Sequence, residues 1–268
     1  MDLRKIQEKA QELIINTGLF LEQEQQKIRS SGVRSKSINQ LVTYVDEQAE
    51  QRLAESLLHI LPQSGILGEE AAQNRETLSG YTWIIDPLDG TTNYIHGLPI
   101  YCISVGLLLE SEVVAGIIYD PIRKELFTAS QGNGAFLNTK PIRVKPNAQI
   151  QDSLLATGFP YYDFGKTPAY LKVLDTLMKN TRGLRRMGSA AIDLAYVACG
   201  RFDAFFEYSL APWDVAAGAC IVSEAGGMVS DFGGTQNYLY GKEIIASNLA
   251  LHPYLQSLIF EHFYNSHP

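Results

Sequence analysis

Trp83-Ile84-Ile85-Asp86-Pro87-Leu88-Asp89-Gly90-Thr91-Thr92-Asn93 is the stretch on which the reading of this chain turns. The apolar run Tyr81 to Ile85 reads as a buried strand. Pro87 disfavours helical geometry at the residue before it, so the Asp86 carboxylate continues the strand direction and projects from its tip. Leu88 is apolar, but its carbonyl lies between two carboxylates and is a candidate oxygen ligand. Asp89 points back across the turn. Gly90 lacks a side chain, which lets backbone N–H groups approach an anion closely. Thr91 is the expected cap of a short helix from Thr92 to His96, whose N-terminus favours phosphate. The plainer alternative is that Asp89-Gly90 is a hairpin turn, as most Asp-Gly pairs are. A strand that ends in two acids, a glycine and two threonines is much rarer by chance.

Two other stretches bring acids of the same kind: Gly68-Glu69-Glu70 upstream, and Pro212-Trp213-Asp214-Val215 far downstream. Gathered together, Glu69, Asp86, Asp89 and Asp214 would repel a phosphate dianion if left bare. Divalent ions reverse that local sign and clamp both oxygens of an in-line displacement. Carboxylates without histidines or thiolates point to Mg2+, with Mn2+ as a substitute, rather than zinc. The five histidines include no ligand-spaced pair, and His96 reads as a loop residue. Other phosphatase chemistries fit poorly. A dehalogenase-type nucleophile loop needs aspartates two apart, whereas Pro87 stands two before Asp89. None of the three cysteines is followed six positions later by arginine, and no lysine follows a glycine loop as in a P-loop. The residues therefore argue for metal-dependent phosphoester hydrolysis.

Working outward, 268 residues with 46% hydrophobic and 19% charged composition are enough for one large domain or two modest ones. A formal charge of −7 argues against a dedicated nucleic-acid binder. Cys102, Cys199 and Cys220 are odd in number and widely spaced, which reads as reduced thiols in a cytoplasmic protein. The polar amphipathic start carries no signal peptide, and no apolar run is long enough to span a membrane. Residues 3 to 29 have helical periodicity, with Leu3, Ile6, Ala10, Leu13, Ile14 and Leu21 on one face, up to a break at Ser30-Ser31-Gly32. A basic segment with Arg34 and Lys36 follows. A second helix is expected from about Asn39 to Leu61, opened by a capping box of Ser37 and Gln40. Strands are expected at 102–109, 113–119, 126–129 and 134–137. From about residue 150 strands and helices alternate: strands at 153–157, 203–207 and 244–246, helices at 168–179, 189–199, 212–224 and 253–263. The expected organisation is an α+β subdomain over 1–145 with most metal ligands, and an α/β subdomain over 146–268 with Asp214 and substrate contacts.

Gly68-Glu69-Glu70, Asp86-Pro87-Leu88-Asp89-Gly90-Thr91-Thr92-Asn93 and Trp213-Asp214 together resemble the signature of the inositol monophosphatase family, the lithium-sensitive, Mg2+-dependent phosphatases. The resemblance extends over nearly the whole chain, from Val42-Thr43 and Asp46 to the C-terminal half. It implies a layered αβαβα sandwich of the inositol monophosphatase and sugar phosphatase type, usually a homodimer, that hydrolyses small phosphate monoesters. On that resemblance, Glu69, Asp86 and the Leu88 carbonyl hold a first metal that activates water, with Thr91 and Asp46 completing a relay. Asp86, Asp89 and Asp214 hold a second metal at the leaving oxygen, and Glu69 touches a weaker third ion through water. Gly90 and Thr91 bind phosphate. Glu207 and Ala190 match positions that contact the inositol ring, and Arg185 and Asp193 belong to that neighbourhood. For Glu207 the plainer reading is a solvated carboxylate at a strand end, and for Asp214 a first-turn acid on the helix dipole. The chain departs from the family at Gln40 and Tyr44, where acidic or small residues are common. Rival activities on the same fold are histidinol-phosphate, fructose-1,6-bisphosphate and nucleotide 3′-phosphate hydrolysis. A rival of another class is regulatory binding to the transcription machinery, which the lack of a long basic surface run makes a second choice.

Overall fold

The computed structural model describes residues 2–28, 33–37, 40–70, 80–146, 149–161 and 163–265. The expected break at Ser30-Ser31-Gly32 lies outside them. Helix α1 (Leu3–Ile28) is followed by a hairpin, β1 (Val33–Ser37) and β2 (Gln40–Thr43), and by helix α2 (Tyr44–Ile60). Next come β3 (Gly65–Gly68), β4 (Tyr81–Asp89), α3 (Thr91–His96), β5 (Cys102–Leu109), β6 (Glu112–Asp120), β7 (Glu125–Ser130), β8 (Ala135–Leu137) and β9 (Lys140–Ile142). The C-terminal part holds β10 (Leu154–Thr157), α4 (Thr167–Asn180), β11 (Gly183–Arg185), α5 (Ala190–Ala198), β12 (Ala204–Tyr208), α6 (Pro212–Glu224), β13 (Met228–Ser230), β14 (Glu243–Ser247) and α7 (His252–Tyr264).

The second helix corrects its expected start. Ser37 and Gln40 do not open the helix; they pair with each other across the β1–β2 hairpin. Val42 and Thr43, branched at Cβ, favour the strand, and α2 begins only at Tyr44, with Asp46 and Glu47 in its first turn.

Strands β3 to β9 form a seven-stranded sheet in sequence order, parallel between β3 and β4 and antiparallel elsewhere. The second sheet has the order β11-β10-β12-β14-β13. Strand β10 runs parallel to β11 and β12, while β14 is antiparallel to both neighbours, so the sheet is mixed rather than purely α/β. Successive side chains of β4 face opposite ways. Trp83 and Ile85 join the core under α1 and α2, and Ile84 joins the core under α5 and α6. That second core continues into Phe205, Ile244 and Ala246 of the five-stranded sheet. The far face of that sheet packs Leu155, Phe206 and Ile245 against Tyr170 and Val173 of α4 and Leu255 and Ile259 of α7. The layers are therefore αβαβα, with α5 and α6 as the central helical layer.

Candidate active site

Strand β4 does not stop at Ile85. It runs on through Pro87, because its register against β5 shifts between Asp86 and Asp89. A bulge there needs no ladder hydrogen bond from Pro87, and it re-aims the two aspartates. The parallel pairing of β3 with β4 sets Gly68 opposite Ile85, and the Glu69 N–H donates to the Ile85 carbonyl at 3.2 Å. Glu69 thus emerges beside Asp86 at the same end of the sheet.

Asp214 arrives from the other side. Gly106 of β5 and Gly116 of β6 let α6 lie almost on the sheet backbone. A Cβ on Gly106 would stand 2.9 Å from that of Ala216, and one on Gly116 would collide with the Ala217 carbonyl. Ser104 adds a hydrogen bond from its hydroxyl to the Trp213 carbonyl at 3.3 Å. Asp214, in the first turn of α6, accepts the Ala211 N–H at 2.7 Å, so the plainer helix-end role is real. It also lines the cleft shared with Glu69, Asp86, Leu88 and Asp89, about 160 Å³ in volume.

The electrostatics follow from this convergence. Asp86 is 1% exposed. Burial, then the charges of Glu69, Asp89 and Asp214, push its carboxyl well above the ordinary range. The Leu88 N–H, donating to its Oδ1 at 2.9 Å, opposes this. Burial raises Asp89 to about 6, against the stabilising hydrogen bonds from Ser189 Oγ (2.6 Å) and the Ala191 N–H (2.7 Å). Burial and the Asp89 charge raise Asp214 to about 7. Arg186 is the one cationic side chain among the described residues lining the cleft. Six acids, Glu69, Asp86, Asp89, Asp193, Glu207 and Asp214, against one base make a site that lacks positive charge. Among the described residues no three His, Cys, Asp or Glu side chains close around a single point. Flanking rather than enclosing carboxylates suit Mg2+, which keeps several waters and shares ligands with substrate phosphate.

Gly90 turns the chain from β4 into α3 with φ at 96°, and a Cβ there would lie 3.0 Å from the Ile100 carbonyl. Gly90 itself is the cap residue. Thr91 is the first helical residue, and its hydroxyl is within reach of Asp46 Oδ1 at 3.1 Å and the Leu88 carbonyl at 3.0 Å. Asp46 is buried behind Thr91 rather than at the cleft surface. Asn93, whose amide donates to the carbonyls of Ile100 (2.8 Å) and Met187 (2.9 Å), ties α3 to the segment before α5. His96 ends α3, exposed and away from the cleft lining.

At the other end of the cleft, Glu207 is 7% exposed and not a solvated strand-end acid. Its carboxylate seats on Gly158, where any Cβ would overlap it. Ala190 and Asp193, in the first turn of α5, line the same end. Arg185 does not: it is the exposed last residue of β11 and donates to the Leu184 carbonyl at 3.0 Å. The neighbouring Arg186, just past the end of the strand, lines the cleft instead. It donates to the Tyr161 hydroxyl at 2.5 Å. Ser189, in the Gly188-Ser189-Ala190 segment that the family resemblance assigns to this pocket, lines it too, and Tyr161 is a further lining residue without a sequence signal. For Arg186 the one sequence signal was its adjacency to Arg185.

A model of the inositol monophosphatase family matches residues 2–267. The chain belongs to the inositol monophosphatase family. It is 44% identical over 220 residues, 81% of each protein, to the Nus factor SuhB of Pseudomonas aeruginosa. It is 40% identical over 235 residues, 88% of each, to the inositol-1-monophosphatase of Rhizobium meliloti. The crystal structure of the extragenic suppressor protein suhB from Bartonella henselae superposes with a TM-score of 0.90 at 37% identity, covering 97% of this chain and 98% of that one. The family fold and the αβαβα layering of this chain agree. No helix among the described residues is long and apolar enough to cross a membrane.

Proposed function

We propose that this family member is a Mg2+-dependent phosphomonoesterase that hydrolyses inositol monophosphate, or a similar small polyol or sugar phosphate, to the alcohol and inorganic phosphate. The observation that carries the reading is the convergence of Glu69, Asp86, Asp89 and Asp214 on one cleft, each from a different part of the chain except the two on the β4 bulge. Glu69, Asp86 and the Leu88 carbonyl would hold one ion, Asp86, Asp89 and Asp214 a second, and Glu69 a weaker third. Bound ions supply the positive charge that the acids lack and polarise the ester and its attacking water.

The chain's own residues do the positioning and the proton handling. The Thr91 hydroxyl can donate to Asp46, so that it takes a proton from water as its own passes to the Asp46 carboxylate. Gly90, Thr91 and Thr92 line the cleft at the start of α3, where the first N–H groups of a helix have no intrahelical acceptor, which suits phosphate oxygens. Glu207 and the start of α5 at Ala190 bound the space for the alcohol. Homodimer formation and a cytoplasmic setting accompany this reading. The test is phosphate release from inositol, sugar, nucleotide and histidinol esters with Mg2+ and with chelator. Release from none of them in Mg2+ removes the proposal.

A second reading comes from the relatives named Nus factor SuhB, at 44% identity: a role in transcription, exercised through binding. A catalytically dead variant that still rescues a deletion phenotype would favour it over chemistry.

A further inference from the structure

Asp193 is 1% exposed, yet it lines the cleft. Its Oδ1 is buried and accepts no hydrogen bond among the described residues. An ionisable oxygen left without a donor in the interior is costly, and in native proteins such a group usually awaits a water, an ion or a ligand. The Glu207 carboxylate, seated on Gly158, is acted on by burial and by neighbouring charges, with no hydrogen bond from the described residues either. The nearest cation does not serve them. Arg186 donates to the Tyr161 hydroxyl, and its guanidinium lies 5.6 Å from the centres of the Phe159 and Tyr161 rings. Its charge still reaches both acids, so a second cation placed between them would stand beside Arg186 and be repelled. Neutral O–H donors meet no such penalty.

We infer that Asp193 is a specificity-determining residue that accepts a hydroxyl of the substrate's alcohol part, beside the one Glu207 accepts, so that the site selects esters of polyols with two or more free hydroxyls. The inference rests on the proposed phosphomonoesterase reading for its substrate, but not for the donor-accepting character of Asp193.

The experiment compares kcat/KM for myo-inositol 1-phosphate with that for cyclohexyl phosphate, the same ring without hydroxyls. Asp193→Leu, with Asp193→Ala in reserve if the leucine variant does not fold, should cut the preference for the inositol ester by about 10- to 100-fold, the cost of leaving a buried hydroxyl without its acceptor. Asp193→Asn, which keeps an acceptor oxygen, should recover most of it. A merely structural role would slow both esters alike, and an unchanged ratio overturns the inference. So does a wild-type preference for 2-aminocyclohexyl phosphate that the same substitution removes. A thermal-shift arm with free myo-inositol and Mg2+ works without turnover: the wild type should be stabilised and Asp193→Leu should not. A shift seen in a wild type that hydrolyses no ester would sink the phosphatase reading while leaving the hydroxyl site standing. No shift in the wild type, with no change in the ester ratio, sinks the hydroxyl site.

Discussion

Asp86 faces Glu69, Asp89 and Asp214 with one backbone N–H in compensation. Replacing it, or Asp214, by asparagine removes a negative charge without changing shape. Activity in saturating Mg2+ should fall at least about 100-fold, more than the loss typical of an outer-shell partner. The chelator-treated variants should melt no lower than the wild type, because a repulsive buried charge has gone. Near-normal turnover in both, measured as phosphate release, would refute the site assignment. Asp193 gives a pH-dependent case. Burial, then the charges of Glu207 and Asp89, raise its folded pKa well above 3.8. The folded protein therefore holds a proton that the unfolded chain releases, and its stability contribution is complete below the unfolded pKa and lost as pH rises through the folded one. In chelator, Asp193→Asn should melt above the wild type at pH 8, with the gap closing towards pH 4; a gap that widens on acidification contradicts the sign. At this scale the sequence showed the acids but not their surroundings. Arg185 and Arg186 are equivalent as letters, and only the direction each takes from the end of β11 assigns Arg186 to the cleft.

Elements place those residues. The four-residue strand β3, with glycine at both ends, has too little hydrophobic pattern to be read in advance. Its parallel register is nonetheless what brings Glu69 to Asp86. The approach of α6 to the sheet rests on Gly106 and Gly116, which as isolated letters signal only a weak spot in a strand. Gly116→Ala should destabilise the protein by about 1–3 kcal/mol, the usual cost of overpacking. Because the methyl group meets backbone at Ala217, α6 should also shift and take Asp214 with it. A raised Mg2+ concentration for half-maximal activity would register that movement. Unchanged melting and unchanged Mg2+ dependence would show that the close approach has no such role.

For the whole molecule, the cleft is where three layers meet: the seven-stranded sheet brings Glu69, Asp86 and Asp89, the central helices Asp193 and Asp214, and the five-stranded sheet Glu207. Holding like charges together opposes folding, so ions that bind only the folded protein should stabilise it, by about 2.7 kcal/mol at a concentration 100 times their dissociation constant. Melting temperature should rise with Mg2+, and Asp214→Asn should lose most of that rise. Equal melting in Mg2+ and in chelator would count against a metal site. The sequence by itself determined the local terms: apolar periodicity marked most strands and helices, and proline, glycine and threonine next to acids marked the turn where chemistry belongs. Those signals act over a few residues, through backbone sterics and the period of burial. Tertiary structure alone decided the bulge in β4, the hairpin in place of a capped helix at Ser37 and Gln40, the place of Asp46 behind Thr91, and the unpartnered acid on α5. Each depends on strand register or on how closely two layers approach, and neither is set by residues adjacent in the chain.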